Sequence, residues 1–367
     1  MVKIAFFLPH LAGGGAERVA INLAEEYRKR GVDVDFVLAQ LEGSFADKLP
    51  QGARVIDLKA SRVLLALPGL VSYLRNEKPV AMFSAPNHTH IILLLAKMMS
   101  GSSVRAILHV GNNVSTVQQK SWKLQEKFYP FLVWLLQRYA NIFIAASKGV
   151  AHDLERVTHV PAGKIIVVYN PVYRAEMEEL MQCPVDHPWF DERQPPVILA
   201  VGRLVEQKDY PTLLRAFAGL HSQRPAHLVI LGEGKLLPEL KALAATLNIA
   251  KDVDFVGFDP NPYRYMARCA AFVLSSAWEG FSNVVAEALA CGAQVVSTDC
   301  HSGPAEILSG GRYGRLVPVR DSAALANAMV EALDHPLPRE SLRQRGRYFS
   351  ASMAAEQYLA AVGINLS

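Results

Sequence analysis

Residues 3–38 read KIAFFLPHLAGGGAERVAINLAEEYRKRGVDVDFVL, and this opening stretch decides the fold class. Residues 3–8 form a short apolar run typical of a buried strand. Residues 16–30 carry apolar side chains at helical spacing and end at Gly31, and residues 32–38 are a second β-rich run. A succession of strand, helix and strand predicts a βαβ unit with two parallel strands.

The same alternation of β-rich and amphipathic runs continues along the chain, except between residues 171 and 196, where five prolines collect. Because 367 residues exceed one typical domain, we predict an α/β protein with two doubly wound, Rossmann-like domains facing a cleft. Ligands are expected in that cleft, at the carboxyl ends of the strands. The predicted boundaries are residues 1–170 for the N-terminal acceptor-binding domain, 171–196 for a linker, 197–350 for the C-terminal donor domain and 351–367 for a C-terminal helix, for which the N-terminal domain is a candidate packing partner.

In the second domain, the predicted strands are residues 197–201, 227–231, 253–256, 271–274 and 294–298, and one predicted helix covers residues 282–290.

The composition, 51% apolar and 20% charged residues, is that of an ordinary globular protein and excludes a disordered chain. The apolar runs are shorter than the roughly 18–20 residues that span a bilayer. The first residues lack the pattern of a signal peptide, so we expect a cytoplasmic protein. The four cysteines show no metal-site spacing and are assigned no chemistry.

The formal charge of +4 is unevenly distributed. Residues 1–170 carry 20 basic and 12 acidic residues, a net charge of +8, whereas the rest of the chain carries −4. Residues 59–138 contain ten basic residues and only two acidic ones, Glu77 and Glu126. This bias indicates an anionic partner: a phosphorylated substrate, an anionic membrane surface or a nucleic acid. Scattered, solvated lysines are the alternative.

Aromatic and leucine side chains between residues 122 and 139 lie on one apolar stretch instead of alternating with charges. This stretch contains the aromatic residues Trp122, Phe128, Tyr129, Phe131 and Trp134. Their arrangement favours a membrane-facing helix over a nucleic-acid platform. We therefore expect peripheral contact with the anionic inner face of the membrane and no nucleic-acid partner. A buried core helix kinked at Pro130 is the alternative.

A glycine loop, Gly13 to Gly15, follows the first predicted strand and precedes its helix. Bare backbone amides at a helix N-terminus favour a phosphate group and allow its close approach. Arg18 stands where a dinucleotide-binding fingerprint needs its third glycine, which disfavours a nicotinamide enzyme. A plain tight turn is the alternative interpretation.

Two cations, Arg203 and Lys208, follow the strand predicted at residues 197–201. A guanidinium and an ammonium at the end of one strand are suited to neutralise a diphosphate leaving group as its bond breaks. Exposed loop charges are the alternative.

Two carboxylates, Glu279 and Glu287, stand eight residues apart around the start of the helix predicted at residues 282–290. Eight helical residues rise about 12 Å, so the two could bind opposite ends of a long polar ligand through its hydroxyl groups. Between them, residues 280–283 supply a helix N-terminus that favours a phosphate. A capping role for Glu279 and a buried structural role for Glu287 are the alternatives.

Two Asp-x-Asp patterns, residues 33–35 and 252–254, begin predicted strands. Ligands of a doubly wound sheet bind at the opposite ends of the strands. We therefore predict no metal at either pattern.

Three segments together carry a resemblance to a known family. The glycine loop at residues 13–18, the V-G-R-L-x-x-x-K pattern at 201–208 and the E-x7-E pattern at 279–287 resemble those of retaining glycosyltransferases of family four, which have the GT-B fold. Residues 147–154, 232–234 and 302–306 also match that family, so the resemblance covers nearly the whole chain. It is similar in particular to bacterial enzymes of surface-polysaccharide and lipid-linked oligosaccharide synthesis.

The resemblance implies a nucleoside-diphosphate sugar donor, expected to be a UDP-sugar, held mainly by the second domain. It places Arg203 and Lys208 at the diphosphate, Glu279 at sugar hydroxyls and Glu287 at the ribose. It places His109, at the end of the strand predicted at residues 105–108, near the reacting sugar as a positioning or polarising group. It also implies backbone contacts to the donor from Gly14, Gly15, Gly280, Phe281, Ser282, Asn283 and Val284.

The resemblance further implies transfer with retention of anomeric configuration by front-face attack, without a protein nucleophile, a metal or another cofactor. The implied acceptor is a glycan or a polyprenyl-diphosphate-linked glycan of cell-surface polysaccharide or lipopolysaccharide synthesis, and the sugar is a hexose or an N-acetylhexosamine. One alternative is a nucleotide-sugar epimerase or a phosphorylase of the same fold, which would form product without an acceptor. Another is a non-catalytic nucleotide- or glycan-binding module.

Overall fold

The structure is a computed structural model that describes residues 2–12, 14–121, 124–191 and 193–364. The chain divides into two compact units. The N-terminal unit consists of Met1–Val172 together with Ala351–Ser367, and the C-terminal unit consists of Tyr173–Ser350. The end of the chain therefore returns to the unit in which the chain begins.

The N-terminal unit is built on a seven-stranded parallel sheet with the strand order β3-β2-β1-β4-β5-β6-β7. Its strands are β1 (Lys3–Leu8), β2 (Asp33–Leu38), β3 (Arg54–Asp57), β4 (Ala81–Ser84), β5 (Arg105–Val110), β6 (Ile142–Ala145) and β7 (Ile165–Val167). Its first six helices are α1 (Gly15–Lys29), α2 (Leu67–Glu77), α3 (Asn87–Ser100), α4 (Val114–Lys120), α5 (Leu124–Leu136) and α6 (Lys148–Thr158).

The C-terminal unit repeats this architecture with a six-stranded parallel sheet of order β10-β9-β8-β11-β12-β13. Its strands are β8 (Val197–Val201), β9 (His227–Leu231), β10 (Val253–Gly257), β11 (Ala271–Leu274), β12 (Val295–Thr298) and β13 (Arg315–Val317). Its helices are α7 (Glu176–Gln182), α8 (Tyr210–His221), α9 (Leu237–Thr246), α10 (Tyr263–Met266), α11 (Asn283–Ala290), α12 (Pro304–Ile307), α13 (Ser322–Asp334) and α14 (Arg339–Arg347). Two doubly wound, Rossmann-like sheets confirm the predicted fold class.

Each face of the N-terminal sheet has its own hydrophobic core, and β1 shows why its sequence is apolar throughout. Ile4, Phe6 and Leu8 belong to one core, whereas Ala5 and Phe7 belong to the other. Successive side chains of a strand point to opposite faces, so a strand covered on both faces needs an unbroken apolar run.

The last helix, α15 (Ala351–Ala360), packs on α1 and completes one of these two cores. Ala354, Ala355, Tyr358 and Leu359 are buried there with the side chains of β1 and β2. The C-terminal segment therefore belongs to the N-terminal unit.

Residues 171–196, the predicted linker, are largely part of the C-terminal unit. They contain α7, whose Met177 and Met181 are buried and which packs on α10. Two methionines four residues apart form a short apolar stripe at helical spacing. The prolines around it led to the prediction of a linker instead of a helix. The sequence also missed β13, a three-residue edge strand too short to show a period.

Candidate active site

The order of the C-terminal sheet marks where a ligand is expected. Strands β8 and β11 are neighbours, and the chain runs outward from them in opposite directions, to β9 and to β12. In a doubly wound sheet this switch point leaves a crevice at the carboxyl ends of the two strands. The loops that follow are residues 202–209 after β8 and 275–282 after β11. They carry Arg203, Lys208 and Glu279.

Lys208 and Glu279 form an ion pair between these two loops. The Nζ atom of Lys208 lies 2.7 Å from Oε1 of Glu279, and the Ser276 hydroxyl donates to the same oxygen at 2.7 Å. The side chains of Lys208 and Glu279 are 15% and 7% exposed. An ion pair so weakly screened by solvent is held more firmly than one on the surface. The two residues predicted to bind different parts of a donor therefore also bind each other.

Backbone and side-chain hydrogen bonds hold the two loops together around this pair. The Ser275 hydroxyl donates to the Lys208 carbonyl at 2.7 Å, and the Ala277 amide donates to the Gln207 carbonyl at 2.9 Å. The Gln207 side chain donates to the Trp278 carbonyl at 3.1 Å. These bonds preorganise Lys208 and Glu279 before any ligand arrives.

Arg203 differs from Lys208 in its surroundings. It follows Gly202 at the end of β8 and is exposed, and its guanidinium forms no ion pair with any residue that the structure describes. Its charge is therefore available to a soluble anion, whereas the charge of Lys208 is partly neutralised by Glu279.

Glycines allow the loop after β9 to pack against the loop that carries Arg203. A Cβ atom on Gly232, whose φ is +145°, would lie 2.0 Å from the Gly202 carbonyl oxygen. A Cβ atom on Gly234 would lie 2.3 Å from the Leu204 carbonyl oxygen. Any side chain at either position would displace the Arg203 loop, which explains the Gly-Glu-Gly sequence at 232–234.

The helix after β11 begins at Asn283, one residue later than predicted. Ser282 precedes it in the left-handed conformation, with φ 78° and ψ 75°. Gly280 and Phe281 are buried, and a Cβ atom on Gly303 would lie 2.3 Å from the Phe281 carbonyl oxygen. The turn before α11 is therefore packed against Gly303. It presents the backbone of Asn283 and Val284 at a positive helix end.

Glu287 lies one turn further along α11 and is buried, with 2% exposure. Its Oε1 atom accepts a hydrogen bond from the Tyr263 hydroxyl at 3.4 Å. Glu279 and Glu287 thus have different partners, as two separate subsites would require.

The glycine loop of the N-terminal unit leads into α1, although Gly13 itself lies outside the described residues. Gly14 caps the helix and Gly15 begins it. A Cβ atom on Gly14 would lie 2.5 Å from Oε2 of Glu17, whose side chain is buried. The Glu17 carboxylate is thus packed against the glycine loop. A side chain at position 14 would therefore have to displace the Glu17 carboxylate.

His109 lies near the carboxyl end of β5 and is buried, with 4% exposure. Its Nδ1 atom lies 2.8 Å from the Tyr358 hydroxyl, and its carbonyl oxygen lies 3.1 Å from Nε2 of His90. Burial lowers the pKa of His109 to about 4, so the imidazole is neutral at neutral pH. Both its ring and its backbone are thus held by neighbours.

Two residues that support the predicted site were not predicted from the sequence. Ser276, which binds Glu279, and Tyr358, which binds His109, lie in segments that carry no recognised motif. No local pattern marks Tyr358, because its partner is 249 residues away in the chain. Ser276 lies only three residues before Glu279, so the Ser-x-x-Glu spacing is a local signal that could have suggested the contact.

Both Asp-x-Asp patterns have basic or histidine partners. Asp35 accepts bonds from Arg54 and Tyr73, and Asp33 lies 3.5 Å from Arg28. In the C-terminal unit, Asp252 pairs with His221 and His227, and Asp254 pairs with His187. Within residues 2–12, 14–121, 124–191 and 193–364, no group of three or more His, Cys, Asp or Glu side chains could hold a metal ion.

The predicted membrane-facing stretch corresponds to α5, with Trp122 outside the described residues. Phe128, Phe131, Trp134 and Leu135 are each more than half exposed, and the rings of Phe131 and Trp134 stack at 6.0 Å. Tyr129, Val133 and Leu136 are buried on the opposite side of the helix. Helix α5, with Pro130 inside it, therefore has one core face and one exposed apolar face. No helix among the described residues is long and apolar enough to cross a membrane.

Two family models match the chain in sequence. The model described as Glycosyltransferase Family 4 matches residues 13–176, and the model described as Glycosyl transferases group 1 matches residues 188–349. Together they cover most of both units.

Curated relatives and a solved structure agree with these matches. An N-acetylgalactosamine-N,N'-diacetylbacillosaminyl-diphospho-undecaprenol 4-alpha-N-acetylgalactosaminyltransferase of Campylobacter jejuni is 32% identical over 355 residues, 94% of this chain and 92% of that protein. The lipopolysaccharide core biosynthesis glycosyltransferase LpsE of Rhizobium meliloti is 27% identical over 94% of this chain and 95% of its own. The crystal structure of Anabaena HepE in complex with UDP superposes with a TM-score of 0.77 at 20% identity, covering 97% of this chain and 98% of that one. The chain therefore belongs to glycosyltransferase family 4 and is a glycosyltransferase of the GT-B fold.

Proposed function

We propose that this glycosyltransferase moves a hexose or N-acetylhexosamine from a UDP-sugar to a glycan or lipid-linked acceptor, with retention of configuration and without a metal. The observation that carries the proposal is the Lys208, Glu279 and Ser276 cluster at the switch point of the C-terminal sheet, with Arg203 on the same loop. An ammonium, a guanidinium and a carboxylate at one crevice match a diphosphate joined to a polyhydroxylated sugar.

Arg203 and Lys208 are the proposed diphosphate ligands. The guanidinium of Arg203 is exposed and can bind phosphate oxygens in a bidentate manner. Lys208 is restrained by Glu279, so its ammonium is already oriented when charge develops on the leaving diphosphate. The N-terminus of α11, at Asn283 and Val284, adds a positive helix end.

The two carboxylates are the proposed hydroxyl ligands. The Oε2 atom of Glu279 accepts a long hydrogen bond of 3.5 Å from the Gln207 side-chain amide. We assign this oxygen to accept a hydrogen bond from a sugar hydroxyl. Glu287 is assigned to the ribose, with Tyr263 fixing its other oxygen. Bonds of this kind orient the donor and leave the bond-breaking step to the cations.

The proposed mechanism needs no nucleophile from the protein. The acceptor hydroxyl attacks the anomeric carbon from the face that the diphosphate leaves, the carbon–oxygen bond to the diphosphate breaks, and a phosphate oxygen takes the hydroxyl proton. His109, neutral at neutral pH, is assigned to polarise or position the reacting groups, and the amides of Gly14 and Gly15 are assigned to the donor phosphates.

The relatives support the choice of donor and acceptor. The Campylobacter relative is named for transfer of N-acetylgalactosamine to a diphospho-undecaprenol-linked glycan, and the HepE structure contains UDP. Surface-polysaccharide or lipopolysaccharide synthesis is the corresponding role. A membrane-bound acceptor also fits the exposed aromatic face of α5, which we assign to peripheral contact with an anionic bilayer.

The test combines donor binding with transfer. UDP, GDP, ADP and several UDP-sugars are added with and without EDTA, and the thermal midpoint is recorded, because a ligand of the native state raises it. A shift with uridine nucleotides alone, unchanged by EDTA, is expected. Transfer to an undecaprenyl-diphosphate-linked acceptor is then measured, with the anomeric configuration of the product determined by NMR.

Lys208→Met is the diagnostic variant and Lys251→Met, at an exposed lysine before β10, is its matched control. Lys208→Met is expected to lower kcat by about 100-fold through lost leaving-group stabilisation, and Lys251→Met is expected to leave it unchanged. Full activity of Lys208→Met, an inverted product, or product formed without acceptor would contradict the proposal.

A further inference from the structure

The chemistry of His109 depends on a residue from the other end of the chain. Tyr358 lies on α15, yet its hydroxyl oxygen is 2.8 Å from Nδ1 of His109 on β5. The planes of the two rings are inclined by 27°, with centroids 6.2 Å apart. Neither residue makes a further side-chain hydrogen bond within the described part of the chain.

Helix α15 is fastened firmly enough to hold Tyr358 in place. The Tyr27 hydroxyl donates to the Ala355 carbonyl, and the Arg30 guanidinium binds Ser352 and Glu356. The Tyr358 ring stacks on Phe83 of β4, with centroids 5.2 Å apart. A ring so confined has little freedom to turn its hydroxyl away from His109.

The hydrogen bond selects one tautomer of His109. The Tyr358 hydroxyl is buried, and Nδ1 of His109 is its only side-chain hydrogen-bond partner among the described residues. If Nδ1 carried the hydrogen, the hydroxyl hydrogen of Tyr358 would have no acceptor among the described residues, at a cost of about 1–3 kcal/mol. Tyr358 therefore donates to Nδ1, and the single hydrogen of the neutral imidazole is on Nε2.

The free edge of the ring faces the turn after β5. A Cβ atom built on Gly111 would lie 3.3 Å from Nε2 of His109, tighter than ordinary van der Waals contact. Glycine at this position keeps the space in front of Nε2 open. The carbonyl of His109 is meanwhile held by His90, which fixes the residue from its backbone side.

We infer that Tyr358 is a positioning residue that keeps His109 in the Nε2–H tautomer, so that His109 acts on the substrate as a hydrogen-bond donor and not as a base. Its target would be an oxygen of the donor sugar or its diphosphate. The inference rests on the proposed function in one respect, that His109 contacts the reacting groups.

The tautomer is tested first, without reference to activity. Long-range ¹H–¹⁵N correlation spectra of the full chain labelled with ¹⁵N-histidine distinguish hydrogen on Nε2 from hydrogen on Nδ1, and His109→Gln assigns the signal. We expect Nε2–H in the wild type and a mixture in Tyr358→Phe. Nδ1–H in the wild type would overturn the inference, whether or not the protein transfers sugar.

The catalytic consequence is tested with two matched pairs of variants. Tyr358→Phe is compared with Tyr27→Phe, which removes a hydrogen bond to α15 without touching His109. Gly111→Ala, which crowds Nε2, is compared with Gly163→Ala, at a glycine with open space around it. For Tyr358→Phe and Gly111→Ala we expect kcat to fall about tenfold, the free energy of one hydrogen bond, with an unchanged KM for the donor.

The outcomes separate the inference from the proposed function. Full activity of Tyr358→Phe, or equal losses in Tyr27→Phe, would overturn the inference while leaving the transferase assignment intact. A wild type that binds and transfers no UDP-sugar would contradict the proposed function, and the tautomer would still be decided by NMR.

Discussion

At the residue scale, two buried histidines make the stability of the N-terminal unit depend on pH. Burial lowers the pKa of His90 to about 3 and that of His109 to about 4. In the unfolded chain both titrate near 6.5. As the pH falls from about 6.5 to about 4, these histidines bind protons in the unfolded state but not in the native state, so the free energy of unfolding falls.

His90→Gln is expected to reduce this acid sensitivity. Each histidine contributes a slope of up to about 1.4 kcal/mol per pH unit in that range, and the variant removes one contribution. Urea unfolding of the N-terminal unit between pH 5 and pH 6 measures the slope. His152→Gln, at an exposed histidine of α6, serves as the control, and an identical slope in His90→Gln and the wild type would refute this account.

At the element scale, α5 combines a core function with an exposed apolar face. Phe128, Phe131 and Leu135 are spaced so that they share one side of the helix, and Tyr129, Val133 and Leu136 share the other. The Tyr129 hydroxyl lies 2.8 Å from Nδ1 of His90. The buried face therefore anchors the helix while the exposed face remains available to a membrane.

Phe131→Glu is expected to weaken binding to vesicles that contain phosphatidylglycerol by about tenfold or more, because it removes an exposed aromatic ring that would enter the bilayer interface and adds a charge that anionic lipids repel. Vesicle flotation measures the bound fraction. Phe258→Glu alters an equally exposed phenylalanine of the C-terminal unit, 59% against 58%, and should bind like the wild type. Binding that is equal for neutral vesicles and insensitive to salt would exclude the anionic-membrane assignment.

At the scale of the whole molecule, neighbouring segments of the chain belong to different units. Leu342 on α14 is buried in the C-terminal unit, and Leu359 on α15, 17 residues later, is buried in the N-terminal unit. Each unit has its own sheet and its own core. A substitution that destabilises one core should therefore lower the stability of that unit alone.

Leu359→Ala and Leu342→Ala test this division. Each is expected to cost about 2–5 kcal/mol through the lost side chain and the cavity that remains. Hydrogen exchange followed by mass spectrometry should accelerate in β1 and α1 for Leu359→Ala, and in α11 and α14 for Leu342→Ala. Acceleration of both units in both variants would mean that the two cores are not energetically separate.

Local patterns in the sequence were enough to predict many of the strands, helices and motif positions. The apolar run of β1 and the stripe of α1 gave their elements nearly to the residue, because a buried strand and an amphipathic helix each impose a short period on the sequence. The motif positions Arg203, Lys208 and Glu279 fall on loops at one switch point. Short elements such as α7 and β13 were missed, since a few residues contain too little of a period to recognise.

The sequence by itself predicted the two-domain α/β class, because the periods of strands and helices are local, and three motifs spread along the chain together carried the resemblance to the family and to its donor-site residues. Only the tertiary structure decided that Lys208 pairs with Glu279 and that Tyr358 contacts His109. Strand order brings loops 71 residues apart together, and core packing brings a helix 249 residues away to β5. Contacts of that range depend on the arrangement of the sheets, which no local period in the sequence specifies.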